Sequence, residues 1–370
     1  MPVTLFLASA AFIVYVLFGY PLLLNMLAHR RARPILRRPI RPSVSVLLPV
    51  RNGEVWVRRK LKSVLNLDYP RELVEVFVIS NGSTDRTDAI VEEFQSRGVQ
   101  LIRFPQAGKA EALNAGMERA RGEILFFTDV RQQLDPASLT RLVECFADPS
   151  VGVASGELFI REGETKQEAD VGLYWRYEKC IRKRLSALDS VLGATGCIYA
   201  MRRELAVPLP PATLLDDVYL PLAAFFRGYR IVLDENARAY DSPTSLRTEF
   251  RRKIRTQAGV YQLIRAYPAL LGPSNRMWIH FVSHKLGRLL LPFALILAAI
   301  SSFWLPPMVL ASQLCFYGLA AIDPAVPEGW PVKRLTSPVR TFVVLMAAAL
   351  LAVSIVFCPG QDLWQDARTR

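Results

Sequence analysis

Residues 4–28 form a run without a single charged side chain. The run is about as long as a helix needs to cross a bilayer, which takes roughly 20 apolar residues. A cleaved signal peptide is the alternative, but no basic residue precedes the run and no small-residue cleavage site ends it. The strongly basic segment 29–42 follows and should stay in the cytoplasm. We therefore expect a transmembrane helix over residues 1–28 with its N-terminus outside.

Two further apolar stretches predict three more membrane helices. Residues 289–322 are too long for one span, and Pro306-Pro307 near their middle indicates two short helices joined by a tight turn. Residues 341–358 predict the last span. The loop before that span should be cytoplasmic because it is basic, with Lys333, Arg334 and Arg340. Four spans without internal charges, and with both termini outside, satisfy all of these basic flanks.

The net charge of +13 would suit a nucleic-acid-binding protein. Much of this charge, however, flanks the spans or lies on two segments that read as amphipathic interfacial helices, 173–185 and 249–267. We therefore expect membrane lipid as the partner of the basic residues, and no nucleic acid. The five cysteines show no paired spacing, and the expected cytoplasmic location predicts that their thiols are free. His280 and His284 lack the glutamate of a metalloprotease motif and predict a helix face near the membrane.

The segment between these apolar regions alternates between short buried strands and amphipathic helices. Strands are predicted at 43–50, 74–80, 99–104 and 123–129, and helices after 54, at 85–97, at 108–120 and from Asp135-Pro136, with Pro136 as the first helical residue. Such alternation predicts an α/β domain with a mostly parallel sheet covered on both faces. Thr84 or Asp85 is expected to cap the second helix.

Polar residues follow the predicted strands at the edge where open α/β sheets bind ligands. Asn52, Asn81 and Asp129 all fall at carboxyl ends of strands. Lys109 begins a helix, where phosphate is favoured, and Asp129 could hold a hard cation. The chain has no GxGxxG and no GxxxxGK[ST] motif, so neither a dinucleotide site nor a P-loop is expected.

Five segments in order, VSVLLPVRNGE, VFVISNGSTDRT, AGKAEALNAG, ILFFTDV and LLDDVYLPL, make the chain resemble the inverting family 2 glycosyltransferases. The likeness spans roughly residues 43–265. It implies a GT-A fold, a nucleotide-sugar donor and a membrane-anchored enzyme of bacterial polysaccharide synthesis. It also implies a set of donor-binding residues, namely Pro49, Asn52, Glu54, Ser80, Asn81, Lys109, Asp129, Arg131 and Arg255.

Two of these positions depart from the family's pattern. Ser80 and Asn81 stand where the family usually has paired acids that read the base. The metal-binding DxD motif reads Asp129-Val130-Arg131, so the resemblance implies that Asp129 alone supplies a carboxylate to a divalent cation, Mg or Mn. Arg131 could contact a phosphate oxygen, point to solvent or pair with Asp135.

The resemblance also assigns the catalytic and acceptor sides. Asp216 and Asp217 match an acidic pair whose second member is the general base, so Asp217 is expected to accept the acceptor's proton. The pair could instead cap a helix, and both roles are compatible. The acceptor-side loop is expected at Gly193, Ala194, Thr195 and Gly196, where small residues would let a sugar approach the backbone; a plain tight turn is the alternative.

A later motif, QxxRW in processive synthases, is only partly kept. Arg255 remains and is expected to contact the diphosphate, while Thr256 replaces the tryptophan. The loss of this stacking platform favours transfer of one or a few sugars over long processive synthesis. The alternative for this segment is simply a basic helix on the membrane surface.

The resulting expectation is a glycosyltransferase of the bacterial inner membrane with a cytoplasmic catalytic domain. A UDP-sugar donor and a saccharide or lipid-linked acceptor are implied, and a membrane partner protein is left open. The alternatives are a polyprenol-phosphate glycosyltransferase, a degenerate relative that binds without turnover, and a transporter, which the uncharged spans disfavour. The domains are expected at 1–28 (membrane helix), 29–42 (basic linker), 43–242 (GT-A domain), 243–288 (interfacial helices), 289–358 (three membrane helices) and 359–370 (tail).

Overall fold

The computed structural model describes residues 1–160, 166–242 and 245–356, without the side chains of 166–174, 355 and 356. The chain forms two compact units. The first, which we call the helical unit, comprises Met1–Arg30, Glu162–Arg184 and Ser242–Arg370; the second, the sheet unit, comprises Arg31–Arg161 and Leu185–Asp241. The predicted tail at 359–370 lies outside the described residues.

The helices and strands of the described residues follow in chain order. The α-helices are α1 Pro2–Val14, α2 Tyr20–Arg30, α3 Glu54–Leu65, α4 Thr87–Glu92, α5 Lys109–Arg119, α6 Ser138–Glu144, α7 Lys166–Leu188, α8 Asp216–Phe226, α9 Leu246–Ala266, α10 Trp278–His280, α11 Gly287–Ser301, α12 Pro307–Ile322 and α13 Lys333–Leu351. The strands are β1 Val44–Val50, β2 Val74–Asn81, β3 Val99–Phe104, β4 Ile124–Phe127, β5 Gln133–Leu134, β6 Val151–Ile160, β7 Tyr199–Arg202 and β8 Arg230–Asp241.

Within the described residues of the sheet unit, the strands form one sheet in the order β3-β2-β1-β4-β7-β6-β8-β5. The first four strands are parallel, and β6 also runs parallel to β8. Antiparallel pairing occurs where β7 joins β4 and β6 and where β5 joins β8. The carboxyl ends of β1, β2 and β4 therefore meet at one edge of the sheet, as the sequence predicts for a mostly parallel α/β fold.

The central strand β1 is held by packing on both of its faces. Val46 and Leu48 belong to the same buried cluster as Leu61 of α3. On the opposite face, Leu47 lies against α5 at Gly116, where an added Cβ would come within 3.2 Å of the Leu47 side chain. A strand that is buried on both faces needs a continuous apolar run, which is why this segment shows no polar alternation.

Two predicted helices of the sheet unit differ from the structure. The helix expected at 85–97 is α4 Thr87–Glu92 followed by a separate 3-10 turn, Gln95–Arg97. The helix expected to begin with Pro136 begins instead at Ser138, because the Asp135 carboxylate and carbonyl accept the amides of Ala137 and Ser138 and fold these residues into a turn. The expectation that Thr84 or Asp85 caps α4 is wrong, because Arg86 occupies the N-cap and α4 has no side-chain cap. The Asp85 carboxylate instead accepts the Thr87 amide at 3.0 Å in the turn that precedes the helix.

The helical unit contains four helices that are long and apolar enough to cross a membrane, counted among the described residues. They are Pro2–Arg30, Trp278–Trp304, Pro307–Ala325 and Lys333–Ser354. The one N-terminal and three C-terminal spans are thus confirmed by length and composition, and the break at Pro306-Pro307 separates the second from the third.

The second and fourth helices begin earlier than the predicted spans, which themselves contain no charged residue. Lys285 and Arg288 lie within Trp278–Trp304, and Lys333 begins the helix Lys333–Ser354 and is not in a loop. Arg288 donates to the Glu178 carboxylate, while Lys333 pairs with Asp323 at 3.3 Å. Arg288 and Lys333 thus lie outside the predicted spans and pair locally, as is usual near a membrane interface.

The two predicted interfacial helices are longer than expected. Residues 173–185 lie in α7 and residues 249–266 in α9, and the Ser245 hydroxyl caps α9 by accepting the Thr248 amide at 3.3 Å. The Arg252 guanidinium stacks over the Trp175 ring at 4.6 Å, which joins α9 to α7. The second candidate membrane helix begins at Trp278, within the segment predicted as interfacial, and the boundary at 288 stays a prediction.

Candidate active site

One lysine and three aspartates from three separate segments converge in the sheet unit. The Lys109 Nζ lies 3.0 Å from Asp129 Oδ1 and 3.1 Å from Asp216 Oδ2. Asp217 follows directly and lies within electrostatic range of the same ammonium. We call this group, Lys109, Asp129, Asp216 and Asp217, the lysine–aspartate cluster.

Each member of the cluster occupies the end of a secondary-structure element. Asp129 follows β4, which ends at Phe127 beside β1. Lys109 is the first residue of α5, and Asp216 and Asp217 form the first turn of α8. The expectation that Asp216 or the turn before it caps α8 is wrong, because the helix has no side-chain cap and Asp216 pairs with Lys109. The negative charges still suit the positive end of α8.

The loop that was expected on the acceptor side wraps around Asp217. The Ala194 amide donates to the Asp217 carbonyl at 2.8 Å. A Cβ added to Gly196 would lie only 2.8 Å from Asp217 Oδ2, so the carboxylate rests directly on this glycine. Gly193 has a φ of +121°, which a side chain would strain, and the Thr195 amide donates to the Ser155 hydroxyl at 2.8 Å. These contacts fix both the backbone and the carboxylate of Asp217.

The electrostatics of the cluster keep Lys109 charged. Burial alone lowers the pKa of the Lys109 ammonium, but the carboxylates of Asp129, Asp216 and Asp217 outweigh burial and raise this pKa above its ordinary value. The side chain is 21% exposed, so it remains open to a ligand. The cluster therefore offers a fixed positive charge beside the amino end of α5, an arrangement that suits a diphosphate.

The first two loops of the predicted donor site are tied to each other. Asn52 adopts a left-handed backbone with a φ of 48°, which asparagine tolerates, and its Oδ1 accepts the Thr84 amide at 2.8 Å. The Glu54 carboxylate accepts the Arg86 amide at 3.0 Å. Pro49 lies in β1 and is half-buried. Asn52 and Glu54 thus hold the turn that follows β2, and their predicted contact with a donor stays a prediction.

Ser80 and Asn81 are buried at the end of β2, with 2% and 4% of their surface exposed. The Ser80 hydroxyl donates to Asp88, and Asn81 Oδ1 accepts the Ala107 amide at 3.1 Å. The second contact holds the loop that leads into Lys109. These two side chains therefore organise the loops, and base reading by them stays a prediction.

The arginine in the altered DxD motif forms an ion pair that the sequence did not predict. Arg131 neither points freely to solvent nor pairs with Asp135, because its Nε donates to Asp241 Oδ2 at 3.1 Å. Gln132 Nε2 donates to the same oxygen at 2.8 Å. Asp135 instead accepts the Tyr240 hydroxyl at 3.0 Å. The segment after Asp129 is thereby anchored to the end of β8, and a phosphate contact by Arg131 stays a prediction.

Sequence reasoning missed Lys60, a buried residue of α3 that binds the segment carrying Asp129. The residue is 1% exposed, and its ammonium donates to Thr128 Oγ1 at 2.6 Å and to the Gln132 carbonyl at 2.7 Å. It therefore bridges the two ends of the turn that carries Asp129. The spacing of α3 carried a signal for this lysine, because Lys60 falls on the buried face with Val57 and Val64, whereas Lys62 is exposed. Its partners could not be predicted, since they are about 70 residues away.

Sequence reasoning also missed Tyr199, which stacks on Phe127 with ring centroids 4.5 Å apart. The ring is fully buried, and its hydroxyl has no hydrogen-bond partner among the described residues. Burial and the nearby carboxylates of Asp216, Asp217 and Asp129 raise the pKa of this hydroxyl well above its ordinary value. Tyr199 thus presents a neutral O–H donor beside the cluster.

Replacing the buried lysine should change how stability depends on pH. Burial lowers the pKa of the Lys60 ammonium from 10.5 to about 7, so between these values the unfolded chain binds a proton that the folded chain lacks. Stability conferred by this group therefore rises with pH through that window, by roughly 2–3 kcal/mol from pH 7 to pH 9. Thermal unfolding at both pH values should show a rise that is smaller in Lys60→Met than in the native protein by about this amount.

The exposed Lys62 of the same helix provides the matched control for that comparison. Lys62→Met should keep the pH dependence of the native protein. Equal pH dependence in the native protein and in Lys60→Met would contradict the assignment of a strongly lowered pKa to Lys60.

A divalent cation fits the cluster chemically. Carboxylate oxygens are the ligands that Mg²⁺ and Mn²⁺ prefer, and Asp129 and Asp216 already share one cationic group. Among the described residues, no three His, Cys, Asp or Glu side chains come together as a preformed metal site. Ligand oxygens and water would therefore have to complete the coordination.

The remaining predicted site residue, Arg255, lies on α9 of the helical unit. Its predicted contact with a diphosphate therefore stays a prediction. The sheet unit by itself defines an α/β domain with an acidic, lysine-containing site at the carboxyl ends of parallel strands, in a chain with four candidate membrane helices.

The comparisons with known proteins identify this domain. Residues 45–207 match the family described as Glycosyl transferase family 2, so the chain carries a family 2 glycosyltransferase domain, as the resemblance implies. It is 38% identical over 94 residues to a probable glycosyltransferase, YdaM, of Bacillus subtilis, which covers 24% of this chain and 22% of the relative. It is 26% identical over 278 residues to hyaluronan synthase of Streptococcus pyogenes, which covers 67% and 64%. The matched regions thus span less than two thirds of these relatives.

A solved structure extends the similarity to the fold of nearly the whole chain. The mannosyltransferase PcManGT from Pyrobaculum calidifontis, solved in complex with GDP-Man and Mn²⁺, has a TM-score of 0.72 and 24% sequence identity. The similarity covers 95% of this chain and 99% of that one. This likeness confirms the predicted GT-A type of fold.

Proposed function

We propose that this protein is an inverting glycosyltransferase that moves a sugar from a nucleotide-sugar donor to a saccharide or lipid-linked acceptor, in polysaccharide or glycolipid synthesis. The observation that carries the proposal is the lysine–aspartate cluster within a family 2 domain. A sugar diphosphate needs a positive charge at the leaving group and a base at the attacking hydroxyl, and the cluster supplies both.

In the proposed reaction, the acceptor oxygen attacks the anomeric carbon while the bond from that carbon to the phosphate oxygen breaks. The electron pair of the broken bond leaves with the nucleoside diphosphate, whose charge the Lys109 ammonium and the amino end of α5 stabilise. The proton of the acceptor hydroxyl passes to the Asp217 carboxylate. Gly196 and the Ala194 amide hold Asp217 in position for this transfer.

Asp129, with Asp216 beside it, would hold a divalent cation in this scheme. When bound, Mg²⁺ or Mn²⁺ would act as a Lewis acid that neutralises the leaving diphosphate. Lys60 binds Thr128 and the Gln132 carbonyl, and Arg131 binds Asp241. These contacts fix the segment that carries Asp129 and limit the motion of its carboxylate. The mannosyltransferase of similar fold was solved with Mn²⁺, which supports this choice of ion.

The donor nucleotide is proposed to be UDP, with GDP as the nearest competitor because the similar mannosyltransferase was solved with GDP-Man. The acceptor is proposed to reach the site from the membrane, since four candidate spans belong to the same chain. We also propose that the protein lies in the bacterial inner membrane with its sheet unit in the cytoplasm, because basic residues follow the helix Pro2–Arg30. A membrane partner protein remains compatible with this scheme.

Donor identity can be tested by thermal unfolding of the purified protein with UDP-, GDP-, dTDP- and CDP-sugars, each with and without Mn²⁺. Binding to the folded state raises the midpoint by mass action, so we expect a rise with one nucleotide class that is larger when Mn²⁺ is present. The sugar that produces the largest rise should then be consumed in a transfer assay. No rise with any of the four classes would contradict the proposed function.

A glycine substitution tests the position assigned to the base. A Cβ at Gly196 would lie 2.8 Å from Asp217 Oδ2, so Gly196→Ala forces the carboxylate to turn away. We expect kcat to fall about 10- to 100-fold, because misplacing a catalytic group by about 1 Å costs that much. The midpoint shift produced by the donor should remain. The matched control is Gly318→Ala, where an added Cβ meets nothing within 4 Å; equal activity in the two variants would contradict the role of Asp217.

A further inference from the structure

The ammonium of Lys109 lies between the carboxylates of Asp216 and of Asp129, the residue predicted to hold a divalent cation. Its Nζ is 3.0 Å from Asp129 and 3.1 Å from Asp216. A lysine in the first turn of a helix lies at the unfavourable end of the helix dipole. The two ion pairs are therefore what hold the ammonium here, and Asp216, with 7% of its side chain exposed, depends on it for charge compensation.

The other two cations described near this segment are engaged elsewhere. Arg131 donates to Asp241, and Lys60 donates to Thr128 and to the Gln132 carbonyl. Neither contact involves Asp129 or Asp216. Within the described part of the sheet unit, Lys109 is thus the cation that contacts both carboxylates.

We infer that Lys109 is an internal counter-cation that occupies the divalent-ion position between Asp129 and Asp216 until a diphosphate draws the ammonium away. A divalent ion and an ammonium compete for the same carboxylate oxygens, and an ion that is tethered to the chain is favoured over a dissolved one at low concentration. The altered DxD motif strengthens this competition, because Arg131 stands where a second acid would raise the affinity for the metal.

The exchange couples the metal to the donor. A nucleoside diphosphate offers the ammonium new anionic partners, and the carboxylates that it leaves can then accept the divalent ion. The free protein should consequently bind Mn²⁺ weakly, and the diphosphate should strengthen that binding. This inference rests on the proposed function only for the identity of the diphosphate; the competition itself concerns the chain alone.

The test is a titration of the purified full chain with Mn²⁺, followed by the electron paramagnetic resonance signal of the free aqueous ion. Lys109→Met removes the competing ammonium, so we expect its dissociation constant for Mn²⁺ to fall at least tenfold below that of the native protein. Tenfold corresponds to about 1.4 kcal/mol. Lys109→Arg keeps a cation beside the carboxylates and should bind Mn²⁺ as weakly as the native protein.

Lys62→Met is the matched control, because it removes the same charge from an exposed position of the sheet unit. A gain in Mn²⁺ affinity no larger for Lys109→Met than for Lys62→Met, in protein that elutes as a single folded species, would overturn the inference. Equally tight Mn²⁺ binding by Lys109→Arg and Lys109→Met would also overturn it, because charge would then not be the cause.

Adding UDP or GDP separates this inference from the proposed function. We expect the nucleoside diphosphate to tighten Mn²⁺ binding in the native protein by at least tenfold, and to tighten it much less in Lys109→Met, where no exchange is needed. Tight Mn²⁺ binding by Lys109→Met with no effect of any nucleotide on any variant would support the internal counter-cation and contradict the glycosyltransferase proposal.

Discussion

Asp217→Asn should abolish most sugar transfer while leaving donor binding intact. Asparagine keeps the size and the backbone contacts of Asp217, including the amide bond from Ala194, but it cannot accept the acceptor's proton. Loss of a general base costs about 10²- to 10⁴-fold in rate, and we expect a fall in kcat of roughly 10³-fold. The measurement is the initial rate of transfer at saturating donor, together with the donor-induced rise in the unfolding midpoint.

Asp68→Asn is the control for that experiment, since Asp68 is an exposed carboxylate of the sheet unit away from the cluster. It should transfer sugar at the native rate. A fall of less than about tenfold in Asp217→Asn would instead favour a phosphate acceptor, which needs little help from a base, as in a polyprenol-phosphate glycosyltransferase. Native protein that binds the donor without any transfer would favour the degenerate relative.

Asp129→Asn should produce the second-largest loss, and it should act on the leaving group. Asp129 is 38% exposed and is the remaining carboxylate of the altered metal motif, so its charge is what a divalent ion at the diphosphate would need. Removing one source of leaving-group stabilisation costs about 10²- to 10³-fold in kcat. We expect a loss of that size, measured as the transfer rate over a range of Mn²⁺ concentrations.

The dependence on metal distinguishes this role from a structural one. In the native protein the transfer rate should rise with Mn²⁺ and saturate, whereas in Asp129→Asn it should rise little over the same range. The unfolding midpoint without ligand should stay near the native value, because Lys109 keeps its pair with Asp216. A variant that transfers sugar at the native rate would refute a role for Asp129 in the chemistry.

Much of the sheet unit could be predicted from sequence because its signals are local. A strand such as β1, buried on both faces, needs a nearly continuous apolar run, and β1 has one apart from Ser45. The polar turns at Asn52, Asn81 and Asp129 mark the edge where the site lies. The convergence of Lys109, Asp129 and Asp217 followed from the topology of a parallel sheet together with the family resemblance.

The contacts that could not be predicted join residues far apart in the chain. Arg131 and Asp241 are separated by 110 positions, and Lys60 and Thr128 by 68. The helical spacing places Lys60 on the buried face of α3, but neither this spacing nor the sequence around Arg131 indicates which distant residue is the partner. The antiparallel placement of β7 between β4 and β6 is likewise a non-local pairing that short apolar strands do not specify.

The ends of the membrane helices were misplaced for a related reason. Hydropathy marks the apolar centre of a span, while Lys285, Arg288 and Lys333 extend the helices beyond it because their charges find partners or lie near helix ends. Such pairing, as between Arg288 and Glu178 of α7, depends on a helix more than 100 residues away. Mean hydropathy, which is averaged over neighbouring residues in the sequence, does not detect such a distant ion pair.

An experimental structure of the chain with Mn²⁺ and the nucleoside diphosphate that most raises the unfolding midpoint tests the central claim most directly. We expect the diphosphate within hydrogen-bonding distance of the Lys109 ammonium, the metal on Asp129, and the Asp217 carboxylate facing the side from which an acceptor would attack. A nucleotide bound elsewhere on the sheet unit, touching neither Lys109 nor Asp129, would contradict the claim that these residues serve one sugar-diphosphate site.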